Sequence, residues 1–249
     1  MTEYSTIEVR RDVDLAEIAL DRPEALNAIT PQMLGELNDA VAALGADPPT
    51  VVVVTGRGRA FSAGVDLKAL GDASLEGGSV GDLLDGPARA LTAALGQLGA
   101  VVIAKVNGFC FTGALELALA CDLVVVADDA KFGDTHAKWG LRPTWGMSQR
   151  LPRAVGLARA RELSYTAATF TGAQAAEWGL ACRSVPRAEL DAVVDALAAE
   201  IIANSRGSLL AYKDLYRVAA AASLDEGLAY EATTSYEIAD TEGRIAAFR

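Results

Sequence analysis

Apolar positions along the chain follow two rhythms. Thr50-Val51-Val52-Val53-Val54-Thr55, Ala100-Val101-Val102-Ile103-Ala104 and Leu123 to Ala127 are unbroken apolar or β-branched runs without alternation. Such runs predict strands buried on both faces. Between them apolar residues recur at helical spacing. Met33, Leu34, Leu37, Val41 and Leu44 predict a helix over 31–44, with Thr30 as N-cap and Pro31 in its first turn. Helices are also predicted over 87–98, over 113–121 and, as a short piece, from Asp66. Thr6 to Leu20 reads as two short strands broken at Arg11-Asp12, and Lys131-Phe132-Gly133 as a short fourth strand after the buried three. From Trp145 the pattern is nearly all helical, over 146–154, 156–167, 172–178, 188–203, 207–221 and 224–238. Strands alternating with helices, then a helical tail, predict an α/β fold with a separate C-terminal helical layer. The Gly/Ser/Asp-rich stretch 71–86 is expected to be a mobile loop.

Composition narrows the chemistry. With 51% hydrophobic and 22% charged residues among 249, the chain can bury a large core and is not globally disordered. Its net charge of −11 argues against nucleic-acid binding through a basic field, so any polyanion must be held by local cations or backbone N–H groups. A single histidine, His136, excludes a multi-His metal site, and no metal is expected. The N-terminus carries no basic-then-apolar signal pattern. The longest uncharged stretch, the fifteen residues between Arg89 and Lys105, is shorter than a membrane span. Cys110, Cys121 and Cys182 are odd in number and form no Cys-x-x-Cys, as expected of free thiols in a reducing, cytoplasmic setting.

Three features carry candidate chemistry. The loop Gly56 to Gly64 lacks the Gly-Lys-Ser/Thr of a phosphate loop. Its glycines either serve a strand-to-helix turn or leave the N–H of Val65 unpaired and able to receive an oxyanion. The segment Asn107 to Gly113 repeats that layout and would present the N–H of Gly113. Glu116 is the only charge between Lys105 and Asp122, in a helix otherwise built of Gly, Ala, Leu and Cys. A carboxylate there is either functional or a partly exposed residue favoured by the helix N-terminus. His136 stands two residues after Asp134, which could orient it, and Trp145 reads as core or as ligand wall.

These pieces assemble into a recognisable order. Asp21-Arg22-Pro23-Glu24-Ala25-Leu26-Asn27-Ala28 is followed by Gly58 to Leu67 and then by Lys105-Val106-Asn107-Gly108. Gly113, Glu116, Ala120-Cys121-Asp122-Leu123 and Gln149-Arg150-Leu151-Pro152-Arg153-Ala154-Val155-Gly156 complete the series. Over nearly its full length the chain resembles the crotonase superfamily, the enoyl-CoA hydratases and isomerases.

The resemblance implies a spiral of β-β-α turns forming two sheets, with a core over 1–190 and a C-terminal helical trimerisation region over 191–249. It makes Val65 and Gly113 the oxyanion-hole donors to a thioester carbonyl. Arg22, Ala25, Leu26, Ala63, Asp66, Leu67 and Lys68 become the CoA-binding wall, Arg22 reaching toward the phosphates, and Trp145 belongs to the acyl pocket. Phe248 matches the C-terminal aromatic that touches CoA across a subunit boundary. The implied partner is an acyl-CoA thioester bound by a homotrimer or dimer of trimers, with no membrane or nucleic acid. No separate cofactor is implied, because coenzyme A is part of the substrate.

Glu116 matches the first of two catalytic carboxylates, and His136 stands where relatives carry the second. A Glu/His pair can still take one proton and give another, with Glu116 as the carboxylate at neutral pH and a pH profile unlike that of two carboxylates. The leading expectation is hydration of a 2-enoyl-CoA to a 3-hydroxyacyl-CoA. The alternatives are another acyl-CoA reaction (isomerisation, decarboxylation or thioester hydrolysis) and a weakly catalytic acyl-CoA-binding protein. Thr112 replaces a glycine common in relatives and is expected to narrow the pocket.

Overall fold

The computed structural model describes residues 3–69 and 76–248. The chain opens with an antiparallel pair, β1 (Ile7–Arg11) and β2 (Leu15–Leu20), then α1 (Pro31–Ala46). Thr30 caps α1 through its hydroxyl, which accepts from the N–H of Met33 at 3.1 Å. Three successive passes follow: β3 (Val51–Gly56) with β4 (Ala60–Ser62), β5 (Val101–Val106) with β6 (Phe109–Phe111), and β7 (Leu123–Ala127) with β8 (Lys131–Gly133). Helix α2 (Asp82–Gln97) follows β4, and α3 (Gly113–Ala118) follows β6. After β8 come α4 (Met147–Val155), α5 (Leu157–Thr166), β9 (Phe170–Thr171), α6 (Gly172–Glu177) and β10 (Arg183–Val185). The chain closes with α7 (Leu190–Ile202), α8 (Arg206–Ala219), α9 (Leu224–Thr233) and α10 (Thr241–Phe248).

Each pass gives one strand to each of two sheets. The larger runs β1-β2-β3-β5-β7-β10 and the smaller β4-β6-β8-β9. From β2 to β10 the larger sheet is parallel, with Val51 opposite Val101 and Ile103 opposite Leu123. This is the expected spiral of β-β-α turns. The β-branched runs occupy its centre, and every residue of β3 is buried. Ile18, Val52 and Ile103 from the large sheet share one core with Phe61, Cys110 and Phe132 from the small one, together with Leu37, Leu91 and Leu115 from the helices. Helix α7 packs Leu190, Val194, Leu197, Ala198 and Ile201 into the same core, whereas α9 and α10 bury no residue completely.

Several expectations need correction. The 56–64 and 107–113 segments are not simple loops, since each contains a three-residue strand, β4 or β6. Strands that short show no alternation and are defined only by their neighbours across the sheet. β9, β10 and α10 were likewise not foreseen. Helix α2 starts five residues before Pro87, because buried Leu84 and Asp85 draw the preceding turn against the core. Residues 82–86 of the stretch expected to be a mobile loop are therefore helical, while 70–75 lie outside the described residues. The helix expected from Asp66 begins as a turn closed by the Ala69 N–H on the Asp66 carbonyl at 3.0 Å. The helix expected to reach residue 238 ends at Thr233.

The 22–29 loop is braced by Asn27, which is fully buried with φ +55°. Its Oδ1 accepts from the Arg22 N–H, and its amide donates to the carbonyls of Arg57 and Ala60 at 2.9 and 2.8 Å. This knot holds the loop beside β4 and sets up the pairing of Ile29 with Val65. Among the described residues no helix is long and apolar enough to cross a membrane, and the three cysteines are free thiols.

Candidate active site

Two residues lining one cavity, Val65 and Gly113, carry backbone N–H groups without a partner among the described residues. Ile29 donates to the Gly64 carbonyl at 2.8 Å and accepts from the Asp66 N–H at 2.9 Å. This parallel bridge uses the residues on either side of Val65 and turns the Val65 N–H away from Ile29. Gly64 makes the turn possible, at φ +92° and with its Cα so close to the Phe111 carbonyl that a Cβ would lie 2.7 Å from that oxygen. Gly113 opens α3, whose first internal donor is the Glu116 N–H on the Thr112 carbonyl at 3.0 Å. The Gly113 N–H is thus left over by helix geometry. Neither N–H has a hydrogen-bond partner among the described residues. Both residues line a cavity of about 150 Å³ together with Ala63, Leu67, Glu116, His136 and Trp145.

Glu116 projects one turn into α3 and is only 1% exposed. Its Oε1 accepts from the backbone N–H groups of Trp145 and Met147 at 3.0 and 2.9 Å. Its Oε2 lies 3.6 Å from His136 Nε2. Burial pushes the Glu116 carboxyl up, against the opposing pull of the Met147 N–H, His136 and the Trp145 N–H. This side chain therefore holds a proton to higher pH than an exposed glutamate.

His136 follows β8 and is buried. Its Nδ1 lies 2.6 Å from Asp134 Oδ1, and Asp134 Oδ2 accepts from the Ser164 hydroxyl at 2.6 Å. Burial opposes ionisation of Asp134, but the hydrogen bonds from His136 and Ser164 outweigh it and hold this carboxyl below its ordinary range. The i, i+2 relation of Asp134 to His136 was visible in the chain. Ser164, thirty residues away on α5, gave no signal.

Trp145 combines both readings left open for it. It is buried, and it also lines the cavity. Its ring packs so closely on Gly113 that a Cβ there would lie 2.4 Å from Cζ3. Asp85 Oδ1 accepts from the indole N–H at 2.8 Å and from the Thr144 hydroxyl at 2.6 Å. Sequence reasoning missed Asp85, whose partners at this site, Thr144 and Trp145, lie some sixty residues away. Thr112 also lines the cavity, in a backbone conformation (φ +51°, ψ −110°) that a β-branched residue rarely adopts. Its hydroxyl lies 2.5 Å from that of Thr135, which ties the start of α3 to the loop carrying His136.

The expected CoA wall is gathered only in part. Ala63 and Leu67 reach the cavity, and the Ala63 N–H donates to the Leu26 carbonyl, so Leu26 is adjacent. Ala25 is the last residue of the short turn preceding Leu26. Arg22 braces the protein from inside: its Nη1 donates to the Ala28 carbonyl at 2.7 Å and pairs with Asp66 at 3.2 Å. Lys68 is exposed. Phe248, at the end of α10, is 93% exposed. No group of three or more metal-ligating side chains occurs among the described residues.

Residues 10–247 match the enoyl-CoA hydratase/isomerase family. The chain is 38% identical over 232 residues to a protein of Mycobacterium bovis named probable enoyl-CoA hydratase echA8, covering 92% of this chain and 87% of that one. It is 36% identical over 209 residues to the crotonyl-CoA hydratase of Syntrophomonas wolfei, covering 83% and 78%. The crystal structure of enoyl-CoA hydratase from Bacillus anthracis superposes with a TM-score of 0.86 at 31% identity, covering 91% and 88% of the two chains. The chain therefore belongs to the enoyl-CoA hydratase/isomerase family, with the fold of the crotonase superfamily, and is an acyl-CoA-processing enzyme of that kind.

Proposed function

We propose that this enzyme adds water across the 2,3 double bond of an enoyl-CoA to give a 3-hydroxyacyl-CoA. The observation that carries this reading is one cavity holding two unpartnered N–H groups and, beside them, a carboxylate and an imidazole 3.6 Å apart. The thioester carbonyl would accept from the N–H groups of Val65 and Gly113. As water oxygen bonds to C3, the π electrons move toward that carbonyl, and the resulting enolate oxygen is held by donors already in position. Preorganised donors of this kind are worth about 3 kcal/mol each. Glu116 and His136 then exchange the two protons that hydration requires, one leaving the water and one reaching C2. Ala63, Leu67 and Trp145 wall the acyl group, Ala25, Leu26 and Asp66 continue toward the CoA arm, and exposed Lys68 meets the phosphates. Arg22 contributes to that end of the site through the guanidinium atoms its internal partners leave over. The test is a panel of enoyl-CoA thioesters from crotonyl-CoA upward. Loss of the conjugated thioester absorbance is expected, and its absence at every chain length would sink the reading.

A second reading stays within the family. His136 in place of a second carboxylate suits another acyl-CoA reaction, such as isomerisation, decarboxylation or thioester hydrolysis, because the superfamily's oxyanion hole serves several chemistries.

The active form is proposed to be a trimer or dimer of trimers built through the region 191–249. Tyr212, Tyr216, Leu224, Leu228, Ile245 and Phe248 are large apolar residues exposed on α8, α9 and α10. Phe248 would reach the CoA of a neighbouring subunit. Sedimentation velocity is expected to give a trimer or hexamer, and a monomer at micromolar concentration would contradict this. Free thiols suit a reducing, cytoplasmic setting.

A further inference from the structure

A second cavity, of about 360 Å³, also borders His136 and is lined by Asp134, Leu151, Ala160 and Ser164 among others. Asp134 and Ser164 do not line the thioester cavity. The hydrogen-bonded link from Asp134 to that cavity runs through the His136 ring.

Both oxygens of Asp134 are in use. Oδ1 faces His136 Nδ1 at 2.6 Å and the His136 backbone N–H at 3.3 Å, and Oδ2 takes the Ser164 hydroxyl at 2.6 Å. An ionised carboxylate only accepts hydrogen bonds, so Nδ1 must carry the proton. The neutral ring then has its lone pair on Nε2, the atom that looks toward Glu116.

We propose that Asp134, anchored by Ser164, is a positioning residue that locks His136 in the Nδ1–H form and thereby makes His136 the proton acceptor and Glu116 the proton donor. The inference rests on the reading of His136 as an acid–base group acting on an enoyl thioester. The oxygen of water bonds to C3 while its proton passes to Nε2. The electron pair of the double bond moves onto the thioester as an enolate. C2 then takes the proton of the Glu116 carboxyl group. The imidazolium returns its proton across the 3.6 Å gap to Glu116 Oε2, so one water is consumed and both groups end as they began. Asp134, 2.6 Å from the ring, balances the positive charge while it exists.

The chain has one histidine, so a ¹⁵N-histidine spectrum reports this ring alone. The wild-type protein is expected to show the neutral ring protonated at Nδ1. In Asp134→Asn the amide can donate to Nδ1, which should populate the Nε2–H form. Turnover is expected to fall about 100-fold or more, with KM within about threefold, because the wrong tautomer removes the base without emptying the site. Ser164→Ala, a milder change, should keep the Nδ1–H form and lose about three- to tenfold in turnover, the worth of one hydrogen bond. An unaltered tautomer in Asp134→Asn, or wild-type turnover in both variants, would overturn the proposal. Should the tautomer switch as expected while the wild-type protein hydrates no enoyl-CoA, hydration fails and the positioning role stands on the spectrum.

Discussion

Glu116→Gln is expected to slow turnover of an enoyl-CoA by about 100- to 10,000-fold while leaving acyl-CoA binding nearly intact. The glutamine keeps an oxygen where Oε1 accepts from Trp145 and Met147, so the wall of the cavity stays in place. What disappears is the group that gives and regains a proton opposite His136. Stability should move the other way. Burial raises the Glu116 carboxyl in the folded state above its ordinary value of 4.5. Below that pH the side chain is neutral in both folded and unfolded chains and carries no penalty. As pH rises through the folded-state value, ionisation inside the protein costs stability. Glu116→Gln should therefore be more stable than wild type at pH 7, with the two urea midpoints converging as pH falls below 4.5. A variant that turns over at the wild-type rate, or one less stable at pH 7, would contradict the placement of this carboxyl.

Gly113→Ala has the second large effect. The new Cβ would lie 2.4 Å from Trp145 Cζ3 and 3.0 Å from Cη2, closer than unbonded carbons approach. The ring cannot swing aside cheaply. Its N–H is held by Asp85, and its backbone N–H by Glu116. Either α3 or the Trp145 segment must shift, and each carries part of the site. Overpacking of this kind costs about 1–3 kcal/mol. Misdirecting the Gly113 N–H should lower kcat/KM by about 100-fold or more, as loss of an oxyanion donor does. Gly86→Ala on α2 provides the contrast. Its Cβ meets nothing within 4 Å, so stability should hold or rise and activity should be unchanged. Thermal unfolding together with steady-state kinetics reads both variants. Near-normal kcat/KM in Gly113→Ala would remove this N–H from the mechanism.

The parts of this molecule legible in its sequence are those fixed by local pattern. The β-branched runs became the centre of the large sheet, Thr30 and Pro31 began α1, and Glu116 stood out as a lone charge in an apolar helix. The hidden parts depend on partners distant in the chain. Strands β4 and β6 are three residues long and exist because each lies beside the other. The Val65 N–H is free only because Ile29, thirty-six residues earlier, pairs with its neighbours. Asp134 was visible beside His136, but its second anchor on α5 and the hold of Asp85 on Trp145 were not. The bracing of Arg22 by Ala28 and Asp66 likewise shows only when the 22–29 loop is folded against β4.

Hydration of an enoyl thioester is tested most directly by the origin of the product's oxygen. Purified enzyme is incubated with crotonyl-CoA in ¹⁸O-labelled water, and the product is analysed by mass. The expected product is an intact CoA thioester heavier by one water, with the label on the C3 hydroxyl, formed about 100-fold or more slowly by Glu116→Gln at the same enzyme concentration. A thioester of unchanged mass, or free CoA with label in a released acid, would contradict hydration and point to isomerisation or thioester hydrolysis at the same site.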